Sequence, residues 1–109
     1  MGKIQSITIE GASGAEYDFN IYSADMPFNP VKAVYIIANR EESEDEVKYD
    51  MLYLGETDNL PERLADHHFR NLWIENGWNV IWVYQEHGHV ERVQAVADLI
   101  AIFNPRIIE

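Results

Sequence analysis

The sequence predicts an α+β fold: a small antiparallel sheet flanked by helices, with an additional β-hairpin at the N-terminus. Three observations predict it. Two alternating apolar/polar segments open the chain, and short apolar runs rich in β-branched and aromatic residues stand at 33–38, 51–54 and 80–84. Two stretches with helical spacing follow Asn59 and His89.

Residues 4–10 and 15–22 alternate across Gly11-Ala12-Ser13-Gly14, the pattern of a hairpin with a glycine-rich turn. Met26–Pro30 reads as a proline-bounded loop. Ala33-Val34-Tyr35-Ile36-Ile37-Ala38 is continuously apolar, which predicts a strand buried on both faces. The acidic block Glu41–Glu46 predicts a solvated loop between strands, the alternative being an acidic arm that imitates phosphates. Met51–Leu54 predicts a strand stopped by Gly55.

Asn59 and Glu62 have capping-box spacing, and Pro61 suits a first turn, so a helix is expected from there to Gly77. Its inner side would carry Leu60, Leu64, His68 and Leu72, with Phe69 and Trp73 beside them. Val80–Tyr84 predicts another core strand. A last helix from about His89 places Val90, Val93, Val96, Ala97, Ile100 and Phe103 along one face and ends before Pro105.

The 109 residues fit one domain, 1–109, with residues 1–30 as the hairpin extension and 32–108 as the core. Nearly half are hydrophobic, enough for a core without staples. The absence of cysteine excludes disulfides, thiolate metal sites and cysteine nucleophiles, and suits a reducing compartment. No run approaches a membrane span and no secretory signal pattern is present, so a cytoplasmic location is expected. Gly2 and Ser6 match a loose myristoylation pattern, but they also begin the alternating strand, which is the reading adopted.

The balance of 8 basic against 19 acidic residues, a net charge of −11, works against nucleic-acid binding, because backbone affinity comes from Lys and Arg releasing counterions.

Six residues stand in a fixed spacing: Tyr53, Gly55, Thr57, Leu60, Arg63 and His67. Ala33-Val34-Tyr35 precedes them, and Leu99-Ile100 with Pro105 follows. With these motifs the chain resembles the GIY-YIG nuclease family over roughly residues 32–108. The resemblance implies DNA phosphodiester hydrolysis assisted by one Mg²⁺ or Mn²⁺. By the same resemblance Tyr35 helps activate water, Tyr53 positions water or phosphate, and Arg63 neutralises charge growing on the phosphate. His67 orients substrate or relays a proton, or else is a structural histidine at the helix–sheet junction. Gly55 and Thr57 shape the substrate-positioning turn.

The departure lies on the last helix. The family's metal-ligand Glu, three residues before the Leu-Ile pair, corresponds to Val96, and its closing Asn to Ile108. An isopropyl group cannot coordinate a hard divalent cation. Glu91 and Asp98 point elsewhere around an ideal helix. His67, His68, His87 and His89 lack the helical spacing of a zinc site.

Two readings follow. One is a GIY-YIG-type endonuclease with activity weakened or lost. The other is a catalytically inactive module acting through its acidic surface on a protein partner.

Overall fold

Eight elements are present in the computed structural model, which describes residues 3–107. They are β1 (Lys3–Glu10), β2 (Glu16–Ser23), β3 (Ala33–Glu42), β4 (Val47–Thr57), α1 (Leu60–Ala65), α2 (Arg70–Glu75), β5 (Val80–Gln85) and α3 (His89–Phe103). The strands form one antiparallel sheet in the order β1-β2-β5-β3-β4. The fold is therefore α+β with helices on both faces, as the sequence predicts. Gly2 and Ile108, which carry the myristoylation pattern and the closing position of the motif, lie outside the described residues.

The N-terminal hairpin is continuous with the sheet, because β2 pairs with β5 from Asn20↔Val83 to Ser23↔Val80. Its turn needs Gly14, which has a left-handed φ of 91°. Asp98 of α3 fastens that turn: it accepts from the Ser13 amide at 2.7 Å, the Ser13 hydroxyl at 2.8 Å and the Tyr17 hydroxyl at 2.8 Å.

β3 is buried on both faces from Ala33 to Ala38, as its apolar run requires. Val34, Ile36 and Ala38 join a core under α3 with Phe19, Trp82 and Leu99. Tyr35 and Ile37 join a second core, with Leu60, Leu64 and Trp73, under α1 and α2.

Four expectations are corrected. Glu41 and Glu42 belong to β3, so only residues 43–46 of the acidic block form the turn, closed by Ser43 N–H donating to Glu46 O at 2.9 Å. Gly55 does not stop β4, which continues to Thr57. β4 also carries a bulge. Tyr53 pairs with Ile37 but Met51 with Ala38, leaving Leu52 as the extra residue. Leu52 and Tyr53 consequently face the same core, and Tyr53 shares a side with Tyr35.

The helix expected from Asn59 to Gly77 is two short helices. Asn59 does cap α1, accepting from Glu62 N at 3.3 Å. The break falls at His67, whose Nδ1 accepts from Phe69 N at 3.0 Å, a local bond that competes with the helical ladder. Arg70 answers the carbonyl freed by the break, donating to Leu64 O at 2.8 Å. The split leaves His68 and Leu72 exposed and buries Trp73 completely.

α3 is rotated from its expected setting. Its packed face is Arg92, Ala95 and Leu99, with Val96 and Phe103 at the margin, whereas Val90, Val93, Ala97 and Ile100 are exposed. The helix ends at Asn104 in a left-handed cap (φ 45°), and Arg106 and Ile107 then donate amides to Met51 O and Leu52 O along the outer edge of β4.

Candidate functional site

The motif residues converge where β3, β4 and α1 meet. Tyr35 lies opposite Gly55 across the β3–β4 pair, and its ring centroid is 6.1 Å from that of Tyr53. A Cβ at position 55 would stand 2.9 Å from Tyr53 Cε2 and 3.0 Å from Tyr35 Oη. Glycine is required here by the two phenols rather than by an unusual backbone angle.

Arg63, from the last turn of α1, faces the phenols of Tyr35 and Tyr53. Burial works against its charge, yet the two phenol oxygens outweigh that effect and hold the guanidinium above its usual pKa. Tyr35 is fully buried, whereas Tyr53 and Arg63 border open space.

That space is a cavity of about 300 Å³ walled by Tyr53, Gly55 and Glu56 of β4, Arg63 of α1, Val96 and Ile100 of α3, and the terminal Pro105 and Ile107. Arg63 also borders an adjoining hollow of about 170 Å³ with Thr57, Asp58, Asn59, Glu62 and Asp66. Thr57 shapes the turn into α1, its hydroxyl accepting from Asn59 N at 3.0 Å and donating to Asn59 O at 3.2 Å.

His67 packs on the same tyrosine from another side. Its ring meets that of Tyr53 edge-on at 4.8 Å and lies 4.4 Å from that of Trp73, and it borders a separate hollow with Asp66, His68 and Arg70. The structure thus brings Tyr35, Tyr53, Gly55 and Arg63 to one point, places Thr57 and His67 on its flanks, and sets Val96 in the cavity wall.

Sequence reading misses Glu56 and offers Arg92 only as part of a basic patch around Arg63, with Arg40 and Lys32, whereas it is buried against Glu56. Arg92 is buried on α3, donating from Nε to Glu56 Oε1 at 2.8 Å and from Nη1 to Glu86 O at 3.1 Å and His87 O at 2.9 Å. His89 Nδ1 stands 3.6 Å from the same carboxylate oxygen. The available signal was Glu56 itself, a carboxylate between the motif residues Gly55 and Thr57.

The donors in the cavity do not suit a divalent metal ion. A hard cation takes six or more oxygen ligands. Among the described residues Glu56 is the one carboxylate in the cavity wall and is engaged by Arg92, while position 96 presents methyl groups. Among the described residues no group of three His, Asp or Glu side chains is placed to hold a metal.

The basic residues are dispersed. Arg40 bonds Tyr49 and Glu42 on the β3–β4 arm, Arg92 is buried, Arg106 pairs with Asp50, and Arg70 stacks over Trp78. Beside Arg63 stand Asp58, Glu62 and Asp66 instead. No helix among the described residues is long and apolar enough to cross a membrane.

Compared with known proteins, the chain matches no family model, no curated protein and no solved structure.

Proposed function

We propose that the chain is a GIY-YIG-type nuclease-like domain, cytoplasmic, whose metal-dependent hydrolysis of DNA phosphodiesters is weakened or lost. The observation that carries this reading is the shared cavity: Arg63, Tyr53 and Gly55 border it, and Val96 stands in its wall at the position where the resemblance expects the metal-binding carboxylate. The tyrosine–arginine half keeps what phosphate recognition needs, a guanidinium beside two phenols at the cavity wall. The other half lacks an oxygen ligand, and losing a metal's charge stabilisation costs several kcal/mol, or orders of magnitude in rate.

The test is nicking of supercoiled plasmid in Mg²⁺ or Mn²⁺. The chain as it stands gives no cleavage, Val96→Glu gives measurable cleavage, and adding Arg63→Ala to that variant removes it. Robust metal-dependent cleavage by the unmodified chain, abolished by Arg63→Ala, overturns the proposal.

A second reading, a catalytically silent module that binds a protein partner, is favoured by the acidic side chains beside Arg63 and the net charge of −11. Both features repel phosphates and attract a basic partner.

A further inference from the structure

α3 leaves an apolar stripe exposed. Val90, Val93, Ala97 and Ile100 follow a 3-4-3 spacing, so they lie in one row along the helix. All four are exposed, Val90 at 60%, Val93 at 47% and Ile100 at 40%. The row facing the sheet carries a buried arginine, Arg92. The helix seats Arg92 on that side through its ion pair with Glu56 and leaves Val90, Val93 and Ile100 in water. A contiguous exposed apolar row of this kind is a candidate contact surface.

The stripe continues into the cavity. Ile100 belongs to both, and Val96, Pro105 and Ile107 extend the apolar wall. Carboxylates border this ground on the β4–α1 side: Asp58, Glu62 and Asp66 stand around the adjoining hollow, while Glu56 in the cavity wall is held by Arg92. On α3 itself, Glu91 stands one residue from Val90 and is exposed.

We infer that the exposed face of α3 docks an amphipathic helix of a protein partner, its apolar row laid on Val90, Val93, Ala97 and Ile100 and its Lys and Arg residues directed at the flanking carboxylates. Rows spaced 3-4-3 are how two helices interlock, which selects a helix as the occupant. Charge selects its sign. A second copy of this chain would bring another −11 to the contact, and an anionic lipid surface or nucleic acid would meet the same repulsion. This inference deepens the second reading above by naming the partner's chemistry, and it holds whether or not the Tyr35–Arg63 site turns over DNA.

The experiment uses the full chain, isotope-labelled, titrated with three synthetic helical peptides: Leu rows with Lys elsewhere, the same with Glu for Lys, and the same with Ser for Leu. The Leu/Lys peptide shifts the resonances of Val90, Val93, Ala97 and Ile100, binds about tenfold more tightly than either control, and loses that advantage on Val93→Ser/Ile100→Ser. Both substituted side chains are exposed, and an unchanged thermal midpoint verifies the fold.

Equal binding of the Ser/Lys peptide, or shifts confined to the Glu41–Glu46 arm, overturns the α3 proposal while leaving an acidic binding module standing. Equal binding of the Leu/Glu peptide overturns the charge argument. Concentration-dependent self-association through α3, seen by sedimentation, overturns the choice of occupant. The nicking assay reads catalysis separately, so failure of one proposal is not mistaken for failure of the other.

Discussion

The side chain of Val96 shares a cavity wall with the Arg63 guanidinium, so an isopropyl group and a fixed cation border the same space. Arg63 faces Tyr35 and Tyr53 with no carboxylate of α3 in this cavity wall. Under the nuclease reading proposed above, the change at Val96 is therefore local.

One consequence is testable without any nucleic acid. Val96→Glu should gain a saturable Mn²⁺ site, read by electron paramagnetic resonance or calorimetry, while the unmodified chain shows none in the same range. Saturable binding by the unmodified chain that disappears in Glu56→Gln would reassign the ligand to β4 and sink this expectation.

Gly55→Ala should destabilise the domain by about 1–3 kcal/mol, because the new methyl meets Tyr53 at 2.9 Å and the Tyr35 hydroxyl at 3.0 Å. Both rings sit in a packed core and cannot yield freely. Denaturant unfolding measures the cost, and a change below a few tenths of a kcal/mol would show that the strand edge simply moves.

Removing the buried cation should cost more than removing its partner. Arg92→Ala strips three hydrogen bonds, leaving Glu86 O and His87 O unanswered and Glu56 with His89 alone, an expected loss of about 3 kcal/mol. Glu56 is partly exposed, so Glu56→Gln keeps a bond to Arg92 and should cost about 1 kcal/mol. Equal costs for the two would mean that Arg92 contributes only through the ion pair and not through the carbonyls that fix the start of α3.

The fastening between the hairpin and α3 should give stability two pH limits. Burial, reinforced by its bond to Asp98, pushes the Tyr17 phenol up to about 12, while the Ser13 and Tyr17 hydrogen bonds pull Asp98 below the usual carboxylate range. A raised phenol contributes stability below its unfolded pKa of about 10, and that contribution is lost as pH climbs from there toward 12. A lowered carboxylate contributes stability above its unfolded pKa of about 3.9, and that contribution is lost as pH falls through the lower folded value. Thermal midpoints against pH should fall at both ends, and Tyr17→Phe should flatten the alkaline limb. An unchanged alkaline limb in that variant would place the effect in another tyrosine.

Much of the frame was legible in the residues alone. Runs of β-branched and aromatic side chains mark β3, β4 and β5, because such residues pack on a pleated surface whatever surrounds them. Asn59 with Glu62 marks the start of α1, because the cap is a bond between near neighbours. The spacing from Tyr53 to Arg63 spans one strand end, one turn and one helical turn, so local geometry suffices to bring the guanidinium back toward the tyrosines.

Tertiary contacts decided the rest. The extra residue at Leu52 puts that side chain in the same core as Tyr53 and turns Met51 and Tyr49 to the other face, and no local signal distinguishes that bulge from a regular strand. His67 ends a helix whose periodicity runs on past it, because its ring seats against Tyr53 and Trp73 while its Nδ1 takes the Phe69 amide. The expected face of α3 runs through Val90, Val93, Val96, Ala97, Ile100 and Phe103, of which Val96 and Phe103 pack against the core and the rest are exposed. What turns Arg92 inward is the Glu56 carboxylate on β4 together with the carbonyls of Glu86 and His87. Glu56 lies 36 residues away in the chain, so the choice of row is invisible to helical spacing and is settled only when the sheet brings that charge under the helix.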